Sequence, residues 1–421
     1  MKKSVRIIFL ITYFSLINLV NAQIQEEYFT SRWTNFNPKA LSYPETTNIL
    51  EGKIENNYTL TNNKTYLLRG NVYVTNNAIL TIEPGTIIRG DEESCGTLII
   101  TKGSKLIANG TKISPIVFTS NKETILRKAG DWGGIIILGD ASINKIGGVS
   151  FLDLGLERGL SSYGGNNSES NSGTLNYIRI EYAGRKLIKQ EKEHNGLSLA
   201  GVGNKTTLKN IQISYSNDDS FEFYGGNINV ENLISFRATD DDFDFTQGVQ
   251  ADIKNSIAIR YPFTSDASRS RCFEIDTYDN TETADLAKDI TKINATNMVF
   301  INYENNNQGL IKEAIYISNN AKINLNNSII SGFRSTVNLN KNINEFNDDI
   351  NNISIEKCIV NDCQFFAEKE GYEIFNDITN HFLNDKFKNQ IIKRTTKELF
   401  INSDIQNQPD FRIKGETIVT Y

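Results

Sequence analysis

Two stretches of this chain carry one pattern at a fixed offset. Residues 208–226 read LKNIQISYSNDDSFEFYGG and residues 230–248 read VENLISFRATDDDFDFTQG. Asn210 falls on Asn232, Asp218 on Asp240, Asp219 on Asp241, Phe221 on Phe243 and Gly226 on Gly248, each pair 22 positions apart (232 − 210). A third copy opens at Ile253 as IKNSIAIRY, takes an insertion and resumes at Cys272 as CFEID. LNYIRIEYAG (175–184) and GLSLAGVG (196–203) form an earlier copy, and INATNMVFI, INLNNSIISGF and ISIEKCIV repeat the opening later. A period in this range is the signature of a repeat architecture.

Within each copy, short runs rich in Ile, Val and Phe alternate with polar residues, which is the period-two pattern of strands with one buried face. Helical repeats would need a period of 3.6, and a βαβ unit needs about 30 residues or more. The pattern therefore predicts an all-β chain, a right-handed parallel β-helix (solenoid) with coils of about 22 residues. Gly and Asn between the runs supply the left-handed backbone that corners require. Asn210, Asn232 and Asn255 fall at one corner and predict a ladder of stacked amides. Residues 66–120 fit the same scheme, with Pro84 and Pro115 beside turns. From Phe366 to Leu399 the alternation fades, and residues 409–421 read as a final strand. The expected organisation is a signal peptide at 1–22, a lead-in or cap at 23–55, the β-helix at 56–365, and a C-terminal cap with a final strand at 366–421.

The signal rests on Lys2, Lys3 and Arg6, an apolar run from Ile7 to Val20, and Val20-Asn21-Ala22 before Gln23. The run is short for a bilayer span, and no later run is long enough, so no transmembrane segment is expected after cleavage. The expected location is secreted, or at the outer surface of a Gram-negative bacterium. Without the three basic residues of the signal, 41 basic residues face 50 acidic ones, a formal charge of −9. No basic run stands out, which argues against nucleic acid as a partner. Cys95, Cys272, Cys358 and Cys363 lack metal-site spacing with a His. Cys358 and Cys363 are near enough in sequence to pair, and buried free thiols are the equal alternative.

Several segments in order carry a resemblance: GTLIITKGSKLIANGTKISPIVFTS (96–120), GDWGGIIILGDASIN (130–144), YGGNNSESNSGTLNYIRIEYAG (163–184), NGLSLAGVGNKTTLKNIQISYSNDDSFEFYGG (195–226) and DDDFDFTQG (240–248). From about Tyr66 to Asp276 the chain resembles secreted and surface-attached bacterial proteins common in Bacteroidetes and related to a leptospiral surface lipoprotein. The resemblance implies a parallel β-helix outside the cytoplasm. It implies no reaction.

The acids of the repeat are the candidate site. If Phe221, Phe223, Phe243 and Phe245 point inward, Ser220, Glu222, Asp242 and Asp244 point outward, and Glu274 joins them through Phe273 and Ile275. That predicts a column of acids about 4.8 Å apart from coil to coil, beside Asp218, Asp219, Asp240 and Asp241 at the neighbouring corner. Stacked carboxylates repel unless they take up protons, meet Arg or bind a cation. Calcium suits several oxygens in flexible geometry, so Asp218, Asp219, Glu222, Asp240, Asp241, Asp242, Asp244 and Glu274 are the candidate ligands. The plainer alternative is a solvated acidic face, with Arg237 and Arg271 as counter-charges and the corner Asp residues bonded to their own turns.

An enzyme would use Asp219 and Asp241 as a paired acid and base, or Arg271 as the base of a lyase. Pectin-cleaving hydrolases of this fold carry a Gly-His-Gly element that this sequence lacks. Its two histidines, His194 and His381, stand at no repeat position that faces the acids. Trp132, in Asp131-Trp132-Gly133-Gly134, reads as a turn residue covering the core or, if exposed, as a sugar platform. Tyr163 opens a polar loop that reads as a binding surface. The expected role is a non-catalytic adhesive, structural or glycan-binding one toward a surface glycan or extracellular matrix. The alternative is a calcium-dependent polysaccharide lyase or glycoside hydrolase.

Overall fold

Each coil turns at a left-handed residue. Asn210, Asn232, Asn255, Asn297 and Asn327 all hold φ between +49° and +58°, a conformation that Asn tolerates because its short amide bonds locally. The amides stack as expected. Asn210 donates to Asn176, Asn232 to Asn210, Asn297 to Asn255 and Asn327 to Asn297, at 2.7–2.9 Å. One rung differs, since Asn255 donates to Glu231 at 3.0 Å. The ladder also measures the coils: stacked Asn partners lie 22 residues apart at Asn232, 42 at Asn297 and 30 at Asn327. The 22-residue coil is the bare unit, and insertions lengthen the others.

The computed structural model describes residues 27–187, 192–266, 269–304, 309–318, 320–343, 348–371 and 376–415. The expected export signal lies outside them. Twenty-eight strands join in one sheet system, and the coils pair parallel, making this a parallel β-helix. Three faces recur. The first holds Asn227–Glu231 paired with Gln250–Lys254. The second, beyond the Asn corner, holds Ile234–Phe236 paired with Ile257–Ile259. The third stacks Leu197–Ala200, Phe221–Tyr224, Phe243–Thr246 and Phe273–Ile275. Gly226 and Gly248, matched in the repeat, have φ of +92° and +76°, and a Cβ on either would lie 2.4 Å from a backbone oxygen.

Phenylalanines fill the lumen behind the third face. Phe221 stacks on Phe243 at 5.1 Å and 6°, and Phe223 on Phe245 at 4.8 Å and 10°. Phe273 meets both lower rings edge-on. All five are at most 1% exposed.

The ends depart from the expected boundaries. The first coil begins at Asn48, inside the expected lead-in, where Asn48–Ile54 pairs parallel with Thr65–Val74. Near the far end the helix Asn376–Phe382 packs on the strand Phe365–Lys369, with Phe382 stacked on Phe366 at 5.5 Å. The chain then adds one more parallel strand, Gln390–Ile392 on Ile359–Asn361, before it leaves the solenoid. Phe400–Asn402 and Asp410–Ile413 form an antiparallel ribbon of their own rather than another rung, and residues 416–421 lie outside the described set. All four cysteines are free. The Sγ atoms of Cys358 and Cys363 each donate to backbone carbonyls, and burial pushes both thiols up, to about 12 and about 11. Among the described residues no helix is long and apolar enough to cross a membrane.

Candidate functional site

On the outer side of the third face, register places Ser198, Glu222, Asp244, Glu274 and Tyr316 in one line. Glu222, Asp244 and Glu274 therefore stack as the repeat predicted. Asp242 and Ser220 do not join them. They precede the strands that begin at Phe243 and Phe221, so the alternation has not yet started, and both are 0% exposed. Ser220 Oγ lies 2.7 Å from Ser235 Oγ, and Ser235 donates to Asp242. Asp242 is paired at 3.0 Å with Arg260, which is also fully buried.

The corner makes a second line. Gly196 N donates to Asp219 O, Ser220 N to Asp241 O and Asp242 N to Arg271 O. These bonds stack Asn195, Asp219, Asp241 and Arg271. The side chains follow the same direction: Asp219 Oδ1 accepts from Asp241 N at 2.9 Å, and Asp241 Oδ1 accepts from Arg271 N. Asp219 and Asp241 thus satisfy the backbone of the next coil, not their own turns.

The two lines meet in two groups. Asp218, Asp219 and Asp240 each bring an oxygen within 4.8 Å of the others, and so do Asp219, Glu222 and Asp244. Asn195 adjoins the second group. Its Nδ2 and Tyr224 Oη both donate to Glu222 Oε2. Its Oδ1 is buried with no hydrogen-bond partner, an arrangement that costs free energy unless something answers it. Asp219, Glu222 and Asp244 therefore offer three carboxylates at a spacing that suits a hard divalent cation, while the Asn195 amide faces Glu222 through its Nδ2 donor. Two oxygens each about 2.4 Å from one calcium ion lie at most about 4.8 Å apart, so the spacing fits.

Electrostatics agree with the crowding. Burial first, and then neighbouring carboxylates, raise Asp218, Asp219, Asp241 and Asp244 well above the usual range. Glu222 is raised by burial to about 7, although Tyr224 and Asn195 pull the other way. A site in this state takes up protons or a cation.

The expected cationic groups are differently placed. Arg271 donates to Glu274 and, at 3.3 Å, to Glu313, and it lies 4.5 Å from the centre of the Tyr316 ring. Burial opposes its charge, but Glu274, Asp241 and Glu313 hold it protonated, so it is a poor base. Arg237 lies over the Tyr261 ring at 3.5 Å, among aromatic rings and away from the acids. Arg260 is the buried counter-charge, and nothing in its position in IKNSIAIRY distinguishes it from a surface residue.

The expected aromatic platforms are interior. Trp132 is 0% exposed, stacks on Phe118 and donates through Nε1 to Glu181 O at 2.8 Å. Tyr163 is 2% exposed and bonded to Gln247 at 3.0 Å, so neither ring presents a face to a sugar. His194 immediately precedes Asn195 in the coil before Asp218, nearer the acids than expected. It is buried, and desolvation lowers it to about 4. His381 lies in the C-terminal helix. Asn195 and Tyr224 escaped the sequence reading because neither is acidic. Asn195 is legible only after GLSLAGVG is laid over SFEFYGG.

Insertions flank the acids at both ends of their strands. Residues 185–195 and 261–271 enter before the strands. Asp266 N and Ser270 Oγ bond Thr239 O there, at 3.0 and 2.7 Å. Beyond the strands, Tyr163 packs 6.1 Å from Tyr224, and Gln247 donates to Asp279 at 3.1 Å.

The model of the pectate-lyase-like β-helix domain family matches residues 52–409. No curated protein matches the chain. Among solved structures, the N-terminal fragment of gene product 12 of bacteriophage phi29 aligns at 11% identity and a TM-score of 0.30, over 82% of this chain and 63% of that one. The pre-mature form of that gene product aligns at 10% identity and a TM-score of 0.21, over 73% of this chain and 47% of that one. The chain thus spans less than two thirds of either structure.

Proposed function

Because the chain belongs to the pectate-lyase-like β-helix domain family, we propose that it is an exported β-helix module of the cell surface or extracellular space. Its role is non-catalytic: adhesive, structural or glycan-binding, with a surface glycan or extracellular matrix as partner. We place a calcium ion on its acidic corner. The motif series from Gly96 to Gly248 supports a relation to the secreted Bacteroidetes and leptospiral surface proteins, and the first 22 residues support export.

The observation that carries the calcium reading is the meeting of Asp219, Glu222 and Asp244 within 4.8 Å. A bound ion would tie coils through their side chains as the Asn ladder ties them at the other end of the second face. The non-catalytic reading rests on the groups a reaction would need. Arg271 is held charged by carboxylates, and Asp219 and Asp241 each hold a backbone N–H.

A second reading has one observation in its favour. Glu222 sits near 7 among flanking insertions, where a carboxyl can exchange protons near neutral pH. A calcium-dependent polysaccharide lyase or glycoside hydrolase would use it. The test is a glycan and matrix binding screen of the mature protein with calcium and with chelator, run alongside assays for new reducing or unsaturated ends. Calcium-dependent retention without new ends is expected. New ends that vanish in Glu222→Gln would overturn the non-catalytic reading.

A further inference from the structure

The outer side of the second face has the wrong polarity for a surface. Ile234, Phe236, Ile257, Ile259 and Ile301 point away from the lumen, yet each is at most 1% exposed. Segments from the two ends of the chain cover them. Trp33 and Phe36 come from the N-terminal arm, Phe400 and Phe411 from the C-terminal ribbon, and Leu399 from the residue just before it, all in one apolar cluster. Phe36 meets Phe236 edge-on at 5.3 Å.

The two segments hold each other as well as the coils. Thr30 Oγ1 donates to Pro409 O at 3.1 Å across 379 residues of sequence, and the Arg412 guanidinium lies 5.3 Å from the centre of the Tyr28 ring. Side chains fasten them to the coils. Asn35 N donates to Gln212 Oε1 at 2.6 Å, and Gln212 Nε2 donates back to Asn35 O at 2.9 Å. Tyr303 Oη donates to Ser403 O at 2.8 Å. The ribbon pairs only with itself among the described strands, and the segment from Tyr28 to Phe36 contains no strand. Neither cover is a rung, so neither need unwind the ladder to leave.

We infer that the arm and the ribbon form one cooperative clasp, which opens as a unit while the coils stay folded, and which keeps the apolar second face from associating with a second copy of the chain. Cooperativity follows from the shared cluster: removing either segment strips apolar cover from the other. Association follows because a contiguous apolar patch of this kind, once bare, seeks another surface.

Amide hydrogen exchange on the mature full-length protein tests this, comparing wild type with Phe400→Asp in the ribbon. Residues 28–36 in the distant arm are expected to exchange about tenfold faster in the variant or more, as for any shared opening unit. Strands Phe221–Tyr224 and Phe243–Thr246 should exchange at the wild-type rate, and light scattering should report a dimer. Faster exchange confined to the ribbon, or a variant that stays monomeric with its arm open, would overturn the inference. If Phe400→Asp unfolds the coils as well, native-state exchange of the wild type decides. One shared opening free energy for arm and ribbon, below that of the coils, supports the clasp, and two separate ones refute it.

Discussion

Arg260 Nη1 lies 3.0 Å from Asp242 Oδ2 inside the solenoid, with both side chains fully shielded from solvent. Arg260 also donates to the carbonyls of Arg271 and Asp240, at 2.8 and 2.6 Å, so the pair pins the corner from which the acidic lines start. Breaking a buried pair strands a charge, and typical losses are about 3–5 kcal/mol. Arg260→Met should lose that much in urea unfolding, and the double variant Arg260→Met with Asp242→Leu should regain most of it. A single variant within about 0.5 kcal/mol of wild type, as for an ordinary surface change, would show that the pair holds nothing.

The Phe221 and Phe243 stack sets the cost of a lumen vacancy. Phe243→Ala should destabilise by about 3–5 kcal/mol, and Phe243→Leu by distinctly less because part of the volume remains. Equal losses for the two variants would argue against a packed lumen.

The Asn corner should separate backbone from side-chain effects. Asn232 has φ of +58° and joins the amide ladder. Asn232→Ala should lose about 1–3 kcal/mol through the left-handed backbone, together with the lost amide bond. Asn232→Gly keeps the backbone at ease and should lose less. A glycine variant weaker than the alanine variant would contradict the ladder account.

The register was legible in the sequence because the two bare coils differ only at their variable positions, so Phe221 over Phe243 and Glu222 over Asp244 follow directly. The corners were not. Period-two alternation placed Asp242 outward, but it precedes its strand and turns inward. Arg260 carried no signal, because its partner stands 18 residues away across a corner. Trp132 and Tyr163 look alike in sequence whether they cover a core or face a sugar. Only the packing of Phe118 and Gln247 against them decides. The clasp was invisible for a similar reason: Ile234 and Ile257 read as ordinary strand residues until the ends of the chain are seen on top of them.

Without metal, acidity should stabilise the protein. Glu222 is raised from its ordinary 4.5 to about 7, so the folded state binds more protons than the unfolded state between those values. Its contribution is fully present below about 4.5 and is lost as the pH rises through about 7. Asp219, Asp241 and Asp244 shift in the same direction. In chelator, the melting temperature should therefore fall between pH 5 and pH 7.5, and Glu222→Gln should flatten part of that fall. A melting temperature that climbs across the window would contradict the crowded-acid account.

Calorimetric titration of calcium into the protein near neutral pH tests the central claim, with the Asp219→Asn, Glu222→Gln double variant in parallel. Wild type should bind one ion per chain at this corner and melt at a higher temperature once loaded, as any ligand of the folded state requires. The double variant should lose both the heat and the shift while keeping its β-sheet spectrum. Wild type that takes up no calcium at about 10 mM, beyond the weakest range of extracellular sites, would mean that protons alone offset the acids.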